Sequence, residues 1–551
     1  MASAVELDLT GMDAARVFPV GPSCSARKRP TSPTDETGDK DAASTWPQKI
    51  RAELEPFFDH LSKDLSAAEF DAHFDASHQI KNLDPDPSKP FEPGHETGYK
   101  TEFLEFPRGV VYSDHRMDLC KMVVGPTSIG PLMNSLESNT FIQHFLLGNN
   151  IIGPTGAAAI VDFLAKRPAA MRTWYLAGNC IDPASFDDLV DAMVRSPVIE
   201  NLWLKRNPLG PASDKSLFKL LSQLPRLRTL DLDQTDLDDA CLARLFSKLC
   251  DHFSDFLPIA PPSPLHSLYL NGVGLLPGPT SLEDPSQKSA MSHIAVFLSQ
   301  QTCQLTSLYI ANNLLGDAGC TTLATGLQKN NSLERLSLQS VGASSTGLSA
   351  IFTALSSHPR IKMFDAGQSY ATIDLGMQFN MLDDAAVPAA LALISSESLK
   401  YLDLGYTSMT QTGLNKLFEA VANNQTLLFF NARSIIERAR DPPRVNQMAH
   451  RLRAAVRRRM VDNVAAEFDG MTYETWFNNE RRWLVNDRED VRAIDSVYRN
   501  RDAGMARRGQ MVLKKWWTEE NKDILQQASG RSCALVRPAG RQGQPEAEAS
   551  A

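Results

Sequence analysis

The chain has 551 residues, 42% apolar and 22% charged, with 56 Lys and Arg against 65 Asp and Glu. That length exceeds what one compact core supports, so several domains or an open repeat array are expected. The net charge of −9 argues against a dedicated nucleic-acid binder, and no apolar run reaches the roughly 18 residues of a membrane span.

Residues 1–45 open on the acidic MASAVELDLTGMD, without the hydrophobic core of a signal peptide. Secretion is therefore not expected. The adjoining SARKRPTSPTDETGDKDAAS is Ser-, Thr-, Pro- and charge-rich, a composition that cannot build a core and predicts disorder. Arg27-Lys28-Arg29-Pro30 reads as a weak nuclear-import patch, and Ser32-Pro33 as a loose proline-directed phosphosite. The eight scattered cysteines contain no CxxC, as suits reduced intracellular thiols better than disulfides or a zinc site. Cytoplasmic residence is expected, with the nucleus as the alternative. Over 46–98, Ile50, Leu54, Phe57, Phe58, Leu61, Leu65 and Phe70 fall at helical spacing, before the Pro-rich connector DPDPSKPFEPG. This stretch is expected to be a helical cap on the N-terminal end of the main body.

From residue 99 to 445 one unit recurs. Its clearest form is Ile142-x-x-Phe145-x-Leu147-x-x-Asn150, then Met171-x-x-Trp174-x-Leu176-x-x-Asn179, and Ile199-x-x-Leu202-x-Leu204-x-x-Asn207. Further copies open at Leu227, Leu265, Leu305, Leu333, Ile361, Leu399 and Leu427, and a weak one, Leu119-x-x-Met122-x-Val124, precedes them. Most steps are of 28 residues (171 to 199, 199 to 227, 305 to 333, for example); the longer ones (227 to 265, 265 to 305, 361 to 399) read as inserted loops. Eighteen residues into most units an apolar pair at i, i+4 occurs, as in Ile160/Leu164 and Leu323/Leu327. Such a pair lies on one helix face, so each unit is a short strand, a turn and a helix. One unit cannot bury both faces alone, whereas stacked units share a continuous core.

These units resemble the ribonuclease-inhibitor-like class of leucine-rich repeats, which also includes Ran GTPase-activating proteins and NOD-like receptor sensors. The resemblance implies an α/β fold: a right-handed horseshoe solenoid of about 10–11 units, with a concave parallel sheet, convex helices and helical flanking segments. Only Asn150, Asn179, Asn207 and Asn313 keep the turn Asn of the pattern. Val273, Val341 and Ile435 cannot replace it, and Thr235, Ser369 and Thr407 can do so only in part, so a looser turn wall is expected in the second half.

Residues 446–527 are expected to form a basic, Trp-containing helical region, and 528–551 a disordered tail. From Arg433 to the end there are 23 Lys and Arg against 17 Asp and Glu, a local net of +6. RVNQMAHRLRAAVRRRMVDNVAAEF reads as one amphipathic helix. Its patch Arg453, Arg457, Arg458 and Arg459 is either the solvated face of a capping helix or a docking surface for an acidic partner, nucleic acid or anionic membrane. Trp476 and Trp483, seven apart, share one face of an expected helix, and with Trp516 and Trp517 they suggest a small helical core of its own.

No phosphate loop, HExxH or GxSxG motif is present and the histidines form no ligand-spaced cluster. No catalytic residue, metal or cofactor is expected. Binding should fall on the strand positions that alternate away from the core. These read Leu146, Tyr175, Trp203, Asp231, Tyr269, Tyr309, Ser337, Asp365, Asp403 and Asn431, with Lys205, Asp233, Asn271, Gln339 and Arg433 in the next column. Tyr175, Trp203, Tyr269 and Tyr309 then form an aromatic stripe broken by Asp231, and exposed rings are what interfaces favour; the competing reading is that strands simply favour Tyr and Trp and that other segments cover the stripe. The first expectation is a non-enzymatic scaffold or adaptor that binds another protein through this face. The alternative is a regulator of a small GTPase resembling Ran activators, with Lys205, Arg206 and Asn207 as the polar turn; a second is nucleic-acid contact through the basic C-terminal region.

Overall fold

The computed structural model describes residues 40–63, 81–82, 102–255, 262–277, 289–369, 377–435 and 443–498. The import patch, Ser32-Pro33, Trp516, Trp517 and the tail 528–551 lie outside these residues. The chain enters through helix α1 (Lys40–Leu61), whose start overlaps the stretch expected as a tail. Short strands β1 (Lys81–Asn82), β2 (Glu102–Glu105) and β3 (Val110–Tyr112) come after it. Strand and helix then alternate: β4 (Arg116–Asp118), α2 (Gly125–Ser135), β5 (His144–Leu146), α3 (Gly153–Lys166), β6 (Thr173–Tyr175) and α4 (Pro183–Met193). Next come β7 (Asn201–Trp203), α5 (Asp214–Gln223), β8 (Thr229–Asp231), α6 (Asp239–His252), β9 (Ser267–Tyr269) and α7 (Ala290–Ser299). The series ends with β10 (Ser307–Tyr309), α8 (Gly316–Leu327), β11 (Arg335–Ser337), α9 (Ser345–Ser356), β12 (Met363–Asp365), α10 (Val387–Ile394), β13 (Tyr401–Thr407), α11 (Gln411–Asn423) and β14 (Phe429–Ser434). Four helices close the described chain: α12 (Pro443–Glu467), α13 (Tyr473–Asn479), α14 (Arg481–Val485) and α15 (Arg488–Arg492).

All strands form one open sheet in chain order. From β4 to β14 every pair is parallel, the geometry of a leucine-rich repeat solenoid. β1 to β4 pair antiparallel, so the N-terminal cap is a helix plus a small antiparallel sheet rather than helix alone. Met117 pairs with Phe145. The first unit therefore opens at Asp114, and the weak copy read from Leu119 is out of register: Leu119 fills the place that Leu147 holds in the next unit.

The repeating leucines are buried because each strand is capped by a helix of its own unit and flanked by its neighbours. One continuous apolar cluster runs from Ile50 in α1 to Met460 in α12. α1 seals one end with Leu54, Phe57 and Leu61, and α12 seals the other with Val456 and Met460, as the open ends of a solenoid require. Several helices begin on a side-chain cap: Asp182, Asp238 and Thr410 each accept a hydrogen bond from the amide three residues on, which satisfies a donor the helix cannot.

The turn wall is built by a ladder of buried amides. Asn179 Nδ2 donates to the Leu147 carbonyl (2.9 Å) and its Oδ1 accepts from the Asn150 amide (3.1 Å); Asn207 and Asn313 repeat this in their own units. The residues before Asn150, Asn179, Asn207 and Asn313, namely Asn149, Gly178, Arg206 and Asn312, are left-handed. The expected loosening in the second half is met differently. Asn380, beyond the inserted loop, donates to the Leu338 and Ala366 carbonyls at 2.8 Å and accepts from the Val341 and Ala343 amides. It supplies the rung that Ser369 was expected to fill in part.

Candidate functional site: the concave face and its strap

The row expected on the concave face is real. Tyr175, Trp203, Asp231, Tyr269 and Tyr309 are aligned across β6 to β10, and Asp365 and Asp403 continue it on β12 and β13. The rings touch in sequence: Tyr175 to Trp203 at 6.3 Å, Trp203 to Tyr269 at 5.2 Å, and Tyr269 stacked on Tyr309 at 4.3 Å between centroids. Asp231 does not interrupt the stripe, because the Trp203 and Tyr269 side chains meet across it.

The stripe is not open to solvent. Tyr175, Trp203, Tyr269 and Tyr309 are between 2% and 7% exposed, and what covers them is the chain's own residues 483–498. Ile494 is buried among these four rings, with Val491 and Tyr498 against the same cluster. Val497 packs on Phe103, Val110 and Tyr112 of the N-terminal cap. The segment thus leaves the C-terminal cap and crosses the concave face in the direction opposite to the strand order.

Its polar contacts trace that path. Arg335 on β11 donates to the Leu484 and Trp483 carbonyls (3.0 and 3.2 Å). Tyr309 Oη donates to the Val485 carbonyl at 2.6 Å. Ser267 Oγ donates to Asp490 at 2.9 Å, and Arg228 lies 3.5 Å from Glu489 and 3.9 Å from Asp490. At the far end Arg116 donates to the Asp495 carbonyl. The Val497 amide donates to Tyr112 Oη at 2.9 Å, and the Gly109 amide to Tyr498 Oη at 3.0 Å.

Beside the strap, Lys205, Asp231, Asp233, Asn271, Gln339 and Asp365 line a cavity of about 420 Å³ that Val485, Asn486, Val491 and Ile494 border from the other side. The Lys205 ammonium sits 3.6 Å from Asp231 and 5.9 Å from the centre of the Tyr175 ring. Asn271 Nδ2 donates to Asp233 at 3.0 Å, and Gln339 Nε2 donates to Asp365 at 2.6 Å. Burial, reinforced by the neighbouring Asp231, pushes the Asp233 carboxyl up to about 7; burial and then Asp403 do the same to Asp365. Burial also raises Asp231 and Asp403. Of the polar turn singled out for a GTPase regulator, Asn207 is fully buried as a ladder rung, and the Arg206 guanidinium donates to Gln234.

The basic patch divides. Arg457 and Arg458 are exposed, whereas Arg459 donates to the Ala422 carbonyl and Arg453 lies 5.4 Å above the Phe418 ring, holding α12 onto α11. The expected shared helix for Trp476 and Trp483 is two helices, and a small apolar cluster of this region, Val464, Phe468, Met471, Tyr473, Trp476, Phe477 and Leu484, closes on Leu428 and Phe429 of the last unit. Trp476 packs with Leu428 of the last unit and Val464 of α12. Trp483 is flanked by Arg482, Arg488 and Arg492, at 3.9 to 5.4 Å from its ring. The competing reading, that another segment covers the stripe, is what the structure shows; sequence reasoning did not identify that segment, although Val491, Ile494 and Val497 at three-residue spacing are its signal.

No family model matches the chain. Ribonuclease inhibitor of Sus scrofa is 25% identical over 45% of this chain and 56% of its own length. NACHT, LRR and PYD domains-containing protein 5 of Mus musculus is 25% identical over 44% of this chain and 17% of its own. Tonsoku-like protein of Bos taurus is 24% identical, covering 44% and 19%. The chain thus spans about half the length of the first and under a fifth of the other two. Among solved structures, the yeast Rad7 and Elc1 complex matches with a TM-score of 0.28 at 17% identity, over 48% of this chain and 67% of that one. Among the described residues no helix is long and apolar enough to cross a membrane.

Proposed function

We propose that this ribonuclease-inhibitor-like leucine-rich repeat chain is a non-enzymatic protein-interaction module whose concave face recognises a short segment of polypeptide. The observation that carries this reading is the strap. Arg335, Tyr309 and Arg116 hold its main-chain carbonyls and Tyr112 its amide, while Ile494 and Val497 fill apolar sites. The strap is partly helical, and the face holds it by side-chain bonds to its main chain and by pockets for its apolar side chains, pockets being what gives peptide recognition its specificity. The first relative is by its name an inhibitor of an enzyme, which agrees with a role in binding another protein.

A trans-binding experiment tests this. Ile494→Asp places a charge among the four rings and should free the face, because a buried unpaired carboxylate is strongly disfavoured. A fluorescent peptide NDREDVRAIDSVY, corresponding to residues 486–498, should then bind the full-length variant about tenfold or more tighter than the wild-type chain, whose own strap competes at high effective concentration. Absence of binding to a variant with unchanged circular dichroism would remove peptide recognition from the concave face.

A further inference from the structure

The strap leaves part of the concave face unfilled, and the 420 Å³ cavity beside it is lined by acceptors at three places. It follows the row Asp231, Tyr269, Tyr309, Ser337 and Asp365, paired in register from β8 to β12. Four strand steps separate the two acids, roughly 19 Å between backbones. At one end Asp233 accepts from the Asn271 amide and side chain. At the other Asp365 accepts from the Gly367 amide and from Gln339. A carboxylate has about four acceptor sites, so each acid can take a further donor. Lys205 stands with Asp231 at 3.6 Å, and its field reaches Asp233 without overcoming burial; Arg206 donates to Gln234. Among the described residues neither Asp233 nor Asp365 forms an ion pair, and the stretch 370–376 that follows Ser369 in the sequence brings no Lys or Arg.

Asn312, in the turn after β10, lies between these ends, lines the same cavity and is 5% exposed. Its Nδ2 donates to Ser369 Oγ at 2.8 Å, whereas its Oδ1 accepts no hydrogen bond among the described residues. A buried acceptor without a donor is costly, so the fitting occupant brings an N–H to this point. Among the described residues no three acids stand close enough to hold one metal ion, so a cation serving both ends must itself be long. Met363, Val485, Val491 and Ile494 add apolar surface that suits methylenes between the charges. We propose that this cavity binds a linear aliphatic polyamine, with terminal ammoniums at Asp233 and Asp365 and an internal amine donating to Asn312. Burial holds both carboxyls at about 7, which agrees with acids whose present partners do not balance their charge. The cavity exists with the strap in place, so the proposal does not depend on recognition of a partner's segment.

The test uses the full-length chain and calorimetry with spermidine as the probe. It is run at about pH 8, to ionise both acids, and in about 0.15 M salt, to screen diffuse attraction to the acidic body. The comparisons are 1,8-diaminooctane, which has the length of spermidine without the internal amine, and the short 1,4-diaminobutane. Spermidine should bind at a single site, more tightly than 1,8-diaminooctane, and 1,4-diaminobutane most weakly. Asp233→Asn and Asp365→Asn should each weaken spermidine about tenfold or more, as loss of a charge-assisted contact predicts. Asn312→Gly keeps the left-handed backbone and should bind spermidine and 1,8-diaminooctane alike. Asp188→Asn, at an exposed position of α4, should leave binding unchanged. The proposal is overturned if spermidine does not bind the parent chain saturably, or if 1,4-diaminobutane binds as tightly. It is equally overturned if Asp188→Asn weakens binding as much as Asp233→Asn, or if Asn312→Gly leaves the preference for spermidine intact.

Discussion

Asp365 and Asp403 stand on either side of Gly367: a methyl group there would lie 3.2 Å from a carboxylate oxygen of each. The concave row puts these acids on adjacent strands, and burial holds Asp365 up at about 7. Between its ordinary value near 4 and about 7 the unfolded chain releases this proton while the folded chain keeps it, so the Asp365 contribution to stability falls as pH rises through that window. His144 and His358, held down to about 4 by burial, act oppositely: their contribution is present above about 6.5 and lost as pH falls towards 4. The difference between variant and parent isolates the acid. Asp365→Asn should gain stability over the parent as the buffer goes from about pH 4.5 to about pH 7.5, measured by urea denaturation; a pH-independent difference would contradict the raised value. In the ladder, Asn179→Ala strands the Leu147 carbonyl and the Asn150 amide and should cost about 2–3 kcal/mol by the same method. A loss below about 0.5 kcal/mol would mean that the rungs are replaceable. The rungs at Asn150, Asn179, Asn207 and Asn313 were legible from the repeat. Asn380 was not, because an inserted loop displaces it from the expected spacing while the fold returns it to the same place.

Among the elements, the caps show how pattern and context divide the work. The apolar spacing of α1 announced a helix that seals the first unit, and the structure buries Leu54, Phe57 and Leu61 there. The antiparallel strands β2 and β3 beside it were not legible, since strands this short carry almost no periodicity. Gly109 joins them to α1: its φ is +108°, and a Cβ would stand 2.7 Å from the Phe57 ring. Gly109→Ala should therefore destabilise the cap by about 1–3 kcal/mol, seen as earlier loss of hydrogen-exchange protection in α1 and β3 than in β7 to β9. Uniform loss across the solenoid would contradict a local role. At the other end, Trp476 fills the space between α12 and the last unit. Trp476→Ala should cost about 3–5 kcal/mol of local stability, read as proteolytic clipping near α12 and α13 that the parent resists.

At the scale of the whole molecule, the strap turns a linear stack into a closed set of contacts. A repeat array is held by nearest-neighbour interfaces, so its two ends have no means of sensing each other. Here residues 483–498 leave the C-terminal cap, cross the rings of β6 to β10 and finish on Tyr112 and Gly109 of the N-terminal cap. The repeat revealed which side chains line the face, because period and register are set by sequence alone. It could not reveal their cover, because that contact joins residues hundreds apart and rests on a few apolar side chains in an otherwise charged segment. The most direct measurement is hydrogen exchange over residues 486–498 in the full-length chain. The account expects slow exchange there in the parent, with Val497 held by Tyr112, and fast exchange in Ile494→Asp while β6 to β10 stay protected. Fast exchange of this segment in the parent chain would show the concave face open and contradict the account at its centre.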